Sequence, residues 1–368
     1  MDIGTTIRFS RKDPAQFLKT LNKRVNDYFK ENNIKKTGDW RLHLKTTIMF
    51  VLFLAPYFLI LTLGLPNWAN LLLTIVMGVG MAGVGMNVMH DGNHGSYSTK
   101  KWVNKLMGGS IYILAGNVYN WQVQHNVLHH TYTNIQGHDE DLDAGRILRF
   151  SKHTKWQKYH KFQHYYSIFL YGLLTFNWAI TTDFQQMYRY TKRKLSYGEF
   201  PNPLANWSKM VIFKIIYAAI WVVLPLIILD ISWWKLLIGF FVMHYIAGVI
   251  LSIVFQLAHV IDQADTPLPD EGGNIENIWV VHQLFTTVNF GNKSKITNWF
   301  TGGLNHQVEH HLFPNISHVH YTKIGEIVKR TAKEFNLPYN EYKSTRKAII
   351  SHFKHLKELG KNPALQYQ

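Results

Sequence analysis

The sequence predicts an all-α integral membrane protein with four transmembrane helices in two hairpins and a cytoplasmic helical cap that carries clustered histidines. Three observations lead there. Apolar residues gather in blocks that approach or reach the roughly 20 residues needed to cross a bilayer: Thr46 to Leu65, Trp68 to Met89, Met210 to Leu229 and Leu236 to Leu257. Basic residues are divided unevenly about those blocks. Histidines form three clusters far apart in the chain, at His90/His94, at His125/His129/His130 and at His306/His310/His311, the last with Gln307 beside it.

The first pair of blocks is separated only by Pro66-Asn67, and the second by Asp230 to Lys235, with one lysine. Nearly every other lysine and arginine, Arg41 and Lys45 included, falls on the opposite side, which predicts that both termini and all three clusters are cytoplasmic. The net charge of +16 over 368 residues therefore follows from topology and from attraction to anionic lipid. With no zinc-finger or RNA-binding signature, a nucleic-acid partner is not expected. The absence of cysteine excludes disulfides, thiolate-bound zinc and iron–sulfur centres held by the chain, and leaves imidazole, amide and carboxylate as metal ligands. No short apolar core with a small-residue cleavage site opens the sequence, so the first span is expected to direct insertion.

Residues 1–45 form a polar, basic segment in which Pro14 to Phe29 reads as an amphipathic helix carrying Phe17, Leu18, Leu21, Val25 and Phe29, expected to lie on the membrane surface. Residues 46–89 form the first hairpin. Pro56 is tolerated within a span, and Gly78, Gly80, Gly83 and Gly85 either let helices pack closely or line a substrate passage.

Residues 90–209 hold two clusters. His90 and His94, at i and i+4, share one helix face. Leu106 to Tyr119 is too short to span and reads as re-entrant or interfacial. On an α-helix His125 and His129 face one way while His130 sits about 100 degrees round, so one helix could serve two neighbouring metals. The acidic run Asp139, Glu140, Asp141 and Asp143 just beyond reads either as carboxylates that accept the far imidazole N–H or as a solvated loop. Asp139 and Asp141, together with Asp91 and Glu309 next to clustered histidines, are the candidates for that orienting role. Tyr165 to Ile180, interrupted by Asn177, reads as an interfacial helix.

Residues 210–258 form the second hairpin, where Lys214 is expected to snorkel to the cytoplasmic surface. His244 and His259 are separated by roughly 22 Å of helix and cannot serve one site. His259, at the cytoplasmic end, is the candidate ligand, whereas His244 reads as a structural hydrogen-bonding or tunnel-lining residue. Residues 259–368 are cytoplasmic: a loop at Asp265-Thr-Pro-Leu-Pro, an ordered region from Trp279 to Phe290, the third cluster, and basic amphipathic helices from Thr322 to Leu337 and on to Gln368. His43, His138, His153, His160, His164, His282, His318, His320, His352 and His355 repeat no cluster spacing at the depth of the three clusters and are read as surface residues.

With His259 the clusters offer about nine ligands, more than the four of one zinc site, a number that suits two metals; neutral imidazoles with open positions suit iron that binds oxygen. The clusters, their order and the hairpin spacing resemble the membrane fatty acid desaturases. Asn305-His-Gln-Val-Glu-His-His-Leu-Phe-Pro is similar to the third histidine box of their front-end branch (acyl-lipid or linoleoyl-CoA type), which begins with Gln. The resemblance covers Thr46 to Pro314. It implies a non-haem centre of two iron ions that uses O2 and two electrons to remove two hydrogens from adjacent methylenes of an acyl-CoA or acyl-lipid. It implies His90, His94, His125, His129, His130, Gln307, His310 and His311 as ligands, with His259 as the additional histidine after the fourth helix. Spacing alone selects His306 in place of Gln307, and the branch usually has an aromatic residue at that position. Many front-end members carry a fused cytochrome b5 domain with a His-Pro-Gly-Gly motif. No such motif occurs here and 45 residues are too few for that domain, so a separate ferredoxin or cytochrome b5 is expected to supply electrons. The alternatives are an acyl-chain hydroxylase on the same iron scaffold, a membrane zinc lipid hydrolase, and a metal transporter.

Overall fold

In the computed structural model the described residues are 7–13, 16–198 and 202–361. They are overwhelmingly helical, and four helices are long and apolar enough to cross a membrane: Trp40–Thr62, Asn67–Asn93, Pro203–Ile228 and Trp233–His259. The chain forms two compact units, Asp39–Val123 with Ile168–Ile253, and Met1–Gly38 with Gln124–Ser167 and Val254–Gln368.

The first unit contains most of the spans. The first and third spans begin well before their apolar blocks because polar residues cap their amino-terminal ends. The first begins at Trp40, where the Asp39 carboxylate caps the helix by accepting the Arg41 N–H at 2.9 Å and pairs with the Arg41 guanidinium at 2.7 Å. The third begins at Pro203, with the Asn202 side chain accepting the Ala205 N–H at 3.1 Å. Two glycines of the second span are sites of close approach: a methyl on Gly80 would meet the backbone of Phe53 in the first span, and one on Gly78 the Met243 carbonyl in the fourth. The second span continues through a π-helical turn, Gly85–Met89, into His90–Asn93. Leu106 to Tyr119 resolves into the helix Lys101–Gly108 and a 3-10 segment, Gly109–Leu114, that does not span. The region read as one interfacial helix is broken at Leu173 into Gln163–Gly172 and Leu174–Asn177, followed by a π turn.

Lys214 does not snorkel. Its ammonium pairs with the Asp183 carboxylate at 2.7 Å and donates to the carbonyls of Ala115 and Trp178, each at 2.5 Å. Asn120 donates to the same carboxylate at 3.1 Å. Inside an apolar bundle a lysine that reaches a carboxylate and two carbonyls gains more than one that stretches toward water, and the network fixes the segment leading to the second histidine cluster. Lys214→Met is expected to destabilise the protein by about 3–5 kcal/mol, because Asp183 is left as an uncompensated buried charge. Thermal unfolding in detergent would reveal it, and Lys214→Met/Asp183→Leu should recover much of the loss. His244 is likewise structural: Tyr217 Oη lies 2.6 Å from Nε2 and Thr175 Oγ1 3.0 Å from Nδ1.

In the second unit the amino-terminal helix, Phe17–Glu31, presents the expected apolar face, but protein covers it. Phe17, Leu21, Val25 and Phe29 are buried against Ile324, Val328 and Ala332 of the helix Tyr321–Glu334 and against Val308 and Leu312 of the third cluster. Each such side chain contributes roughly 1.5–3 kcal/mol on full burial, so protein packing takes the apolar face expected to meet lipid. Arg24 locks the pair through Glu334 at 2.6 Å and Thr331 at 3.0 Å. The predicted start of that helix, Pro14 and Ala15, and the chain end from residue 362 lie outside the described residues. Two parallel strand pairs complete the unit: Arg8–Phe9 with Asn274–Ile275, and Asn289–Phe290 with Glu341–Tyr342.

Five histidines read as surface residues are buried: His160, His282, His318, His320 and His352. Four of them, His160, His282, His320 and His352, hydrogen-bond to backbone carbonyls of other segments. His352 Nδ1 meets the Val260 carbonyl at 2.7 Å, His282 Nε2 that of Thr133 at 2.9 Å, and His160 Nε2 that of Arg146 at 2.9 Å. Burial pushes the pKa of both His282 and His352 down to about 4, so each is a neutral donor.

Candidate metal centre

The second cluster is wound as a π-helix over Gln122–His129, not as the expected α-helix. Its wider turn brings residues five apart together. The His125 and His130 rings are 4.8 Å apart at their centroids, against 5.2 Å for His125 and His129, so His130 is not turned away as α-helical spacing predicts.

The third cluster lies on a short, wholly buried helix, Gln307–Leu312. Asn289, placed by its strand pairing, accepts the Val308 N–H at 2.9 Å and donates to Glu309 Oε2 at 2.8 Å. The Tyr339 hydroxyl donates to Glu309 Oε1 at 2.9 Å. Glu309 thus anchors its helix to Asn289 and Tyr339. Its nearest histidine contact is His306, with Nδ1 at 3.5 Å.

Within this unit the two clusters and His259, the last residue of the fourth span, converge. His130 Nε2 lies 3.0 Å from His310 Nε2 and 3.3 Å from His125 Nε2. One ring nitrogen from each of His129, His259 and His311 lies within 4.8 Å of the others, and the same holds for His125, His129 and an Asp141 oxygen. All these histidines are buried. The opposite nitrogens have defined partners: His129 Nδ1 faces Asp139 at 2.9 Å, His125 Nδ1 faces Asp141 at 2.9 Å, and His311 Nδ1 faces the Gln283 Oε1 at 2.8 Å. An acceptor at Nδ1 keeps the proton there and leaves the Nε2 lone pair directed into the cluster. Burial raises the pKa of Asp139 well above the usual carboxylate range and that of Asp141 to about 7. A cation among the imidazoles would oppose that shift and keep both carboxylates ionised.

Gln307 is buried with its side chain beside His259, whereas His306, also buried, lies toward Glu309. His90 and His94 sit at the end of the second span in the other unit, rings 4.6 Å apart, with Trp121 at 5.6 and 5.5 Å. Asp91 is buried between them in sequence. Sequence reasoning missed Gln283, Trp279, which donates to the His130 carbonyl at 3.0 Å, and Tyr321, whose hydroxyl is 3.3 Å from His310 Nδ1. These residues carry no histidine spacing, and Gln283 and Trp279 come from a separate helix.

The fold and the site define a helical membrane protein with buried histidine clusters able to bind a metal. Comparison with known proteins gives the family. The sequence profile of the fatty acid desaturases matches residues 66–343, and the chain belongs to that family of oxidoreductases. It is 36% identical to the sn-1 linoleoyl-lipid 6-desaturase of Arthrospira platensis over 98% of this chain and 97% of the relative. It is 32% identical to the acyl-lipid (8-3)-desaturase of Physcomitrium patens, covering 96% of this chain and 74% of that protein. Identity is also 32% with the Delta(5) fatty acid desaturase A of Dictyostelium discoideum, over 95% and 76% of the two chains.

Proposed function

We propose that this protein is a front-end acyl-lipid desaturase, which places a new double bond between an existing one and the carboxyl end of a membrane-lipid acyl chain. The observation that carries this reading is the packing of buried imidazoles from two histidine clusters and His259, with Nδ1 atoms held by carboxylate or amide oxygens. The relatives named as 6-, (8-3)- and Delta(5)-desaturases support the regiochemistry and the acyl-lipid substrate.

The proposed ligands are His90, His94, His125, His129, His130, His259, Gln307, His310 and His311. The donor set suits two iron ions: it is all imidazole and amide, it is buried, and the chain has no cysteine to compete. When bound, iron supplies the oxygen chemistry, with O2 and two electrons from a separate ferredoxin or cytochrome b5. The protein's own contribution is orientation and exclusion of water. Asp139 and Asp141 hold the His129 and His125 rings in place, and Gln283 does the same for His311. The positive-inside pattern supports a cytoplasmic site and cytoplasmic termini.

Gas chromatography with mass spectrometry of lipids from cells expressing the chain is expected to reveal a polyunsaturated product with its new bond on the carboxyl side. An alcohol at the same carbons would overturn desaturation in favour of hydroxylation. For the third cluster, Gln307→Ala is expected to lower iron per protein while His306→Phe leaves it unchanged. Unchanged iron in Gln307→Ala would reject Gln307 as a ligand.

A further inference from the structure

The unit that holds most of the spans contains a cleft of about 290 Å³ at the end away from His90 and His94. The cleft lies among all four spans. Its walls are aliphatic and aromatic, with Leu61, Leu71, Ile238 and Phe240 among them, and Tyr57, Met77, Trp221 and Met243 are its innermost residues along the four spans. From Met77 the second span continues for roughly 20 Å before it reaches His90, so the cleft is remote from that cluster.

Two features say what fits there. The first is depth. Asn67, Ile231 and Trp234 line the mouth and belong to the two hairpin turns, and Trp68, Trp233 and Trp234 are exposed around it. Tryptophans collect at headgroup level, so the mouth opens at the membrane–water interface and the cleft runs into the hydrocarbon. The second is charge. Among the described residues, Lys235 is the only charged residue lining the cleft, with its ammonium 5.6 Å from the centroid of the Trp234 ring. A single cation at headgroup depth over an apolar slot complements a ligand with one anionic group and a hydrocarbon tail.

We propose that this cleft binds one anionic glycerolipid, with an acyl chain between the spans and its phosphate at Lys235. The site is separate from His90 and His94 and serves a resident lipid that is not turned over. It braces the ends of both hairpins where the protein itself leaves a void.

The test uses the full-length protein purified in detergent, titrated with phosphatidylglycerol or phosphatidylcholine of identical chains and read by native mass spectrometry. The wild type is expected to retain one phosphatidylglycerol in preference to phosphatidylcholine by about fivefold, the factor that corresponds to ~1 kcal/mol for one lysine near anionic lipid. Lys235→Gln should bind both lipids alike while still retaining one. Gly239 lines the cleft, and a side chain there would project beside Thr74. Gly239→Leu should therefore lose the retained lipid of either kind. An unchanged phosphatidylglycerol preference in Lys235→Gln, or full retention in a folded Gly239→Leu, would overturn the proposal. So would a shift in the chain length of the desaturated product in Gly239→Leu with lipid retention intact, which would assign the cleft to the substrate's tail.

Discussion

His310→Ala is expected to abolish desaturated product while leaving the protein in the membrane at its normal level. His310 Nε2 lies 3.0 Å from His130 Nε2, and the ring is fully buried on a helix anchored by Asn289 and Tyr339. Removing it deletes one nitrogen from the converging set and leaves a polar cavity that water can enter. Because changes to outer partners of metal ligands already cost about 10–100-fold in affinity or activity, loss of a ligand itself should exceed that range. Product analysis beside quantification of protein in isolated membranes checks it. Wild-type amounts of new double bond in this variant would refute the assignment.

Asp139→Asn should lower metal affinity or activity by about 10–100-fold, with the protein still folded. This carboxylate accepts from His129 Nδ1 at 2.9 Å, the Asn134 N–H at 2.9 Å and the Asp141 N–H at 3.1 Å, among other donors. An amide has one oxygen, so at least one of these N–H groups would face the new NH2, and the His129 ring would lose its fixed tautomer. Metal content measured at graded iron supply should show a rightward shift for Asp139→Asn. Exposed Asp143, in the same acidic run, provides the control: Asp143→Asn should change stability by no more than about 0.5 kcal/mol and leave metal content as it is. Equal behaviour of the two variants would return the acidic run to a solvated loop.

Much of the molecule is legible in its amino acids because the governing constraints are local. A bilayer demands a run of apolar residues of fixed length, and the four blocks meet it; the first and third helices then extend to caps at Asp39 and Asn202, which block length does not reveal. Histidine spacing likewise announces a metal site and, through its third box, the family. Two of the places where the expectation fails share one cause. Amphipathic periodicity says that the face of Phe17, Leu21, Val25 and Phe29 must leave water, but not whether lipid or protein covers it, and here the covering helix lies some 300 residues away in sequence. Lys214 has lipid-facing snorkelling as its local solution, yet Asp183 and two carbonyls offer a stronger one.

The sequence by itself determined the membrane class, the spans and the histidines that gather at the site, since length, hydropathy and spacing are properties of single segments. The tertiary structure decided the rest: the π winding that sets His130 beside His125, the Gln283 and Tyr321 contacts, and the burial of His160, His282, His318, His320 and His352. Each of those depends on groups from separate segments meeting away from water, where an unmet hydrogen bond costs about 1–3 kcal/mol, and such meetings leave no periodic trace in the chain.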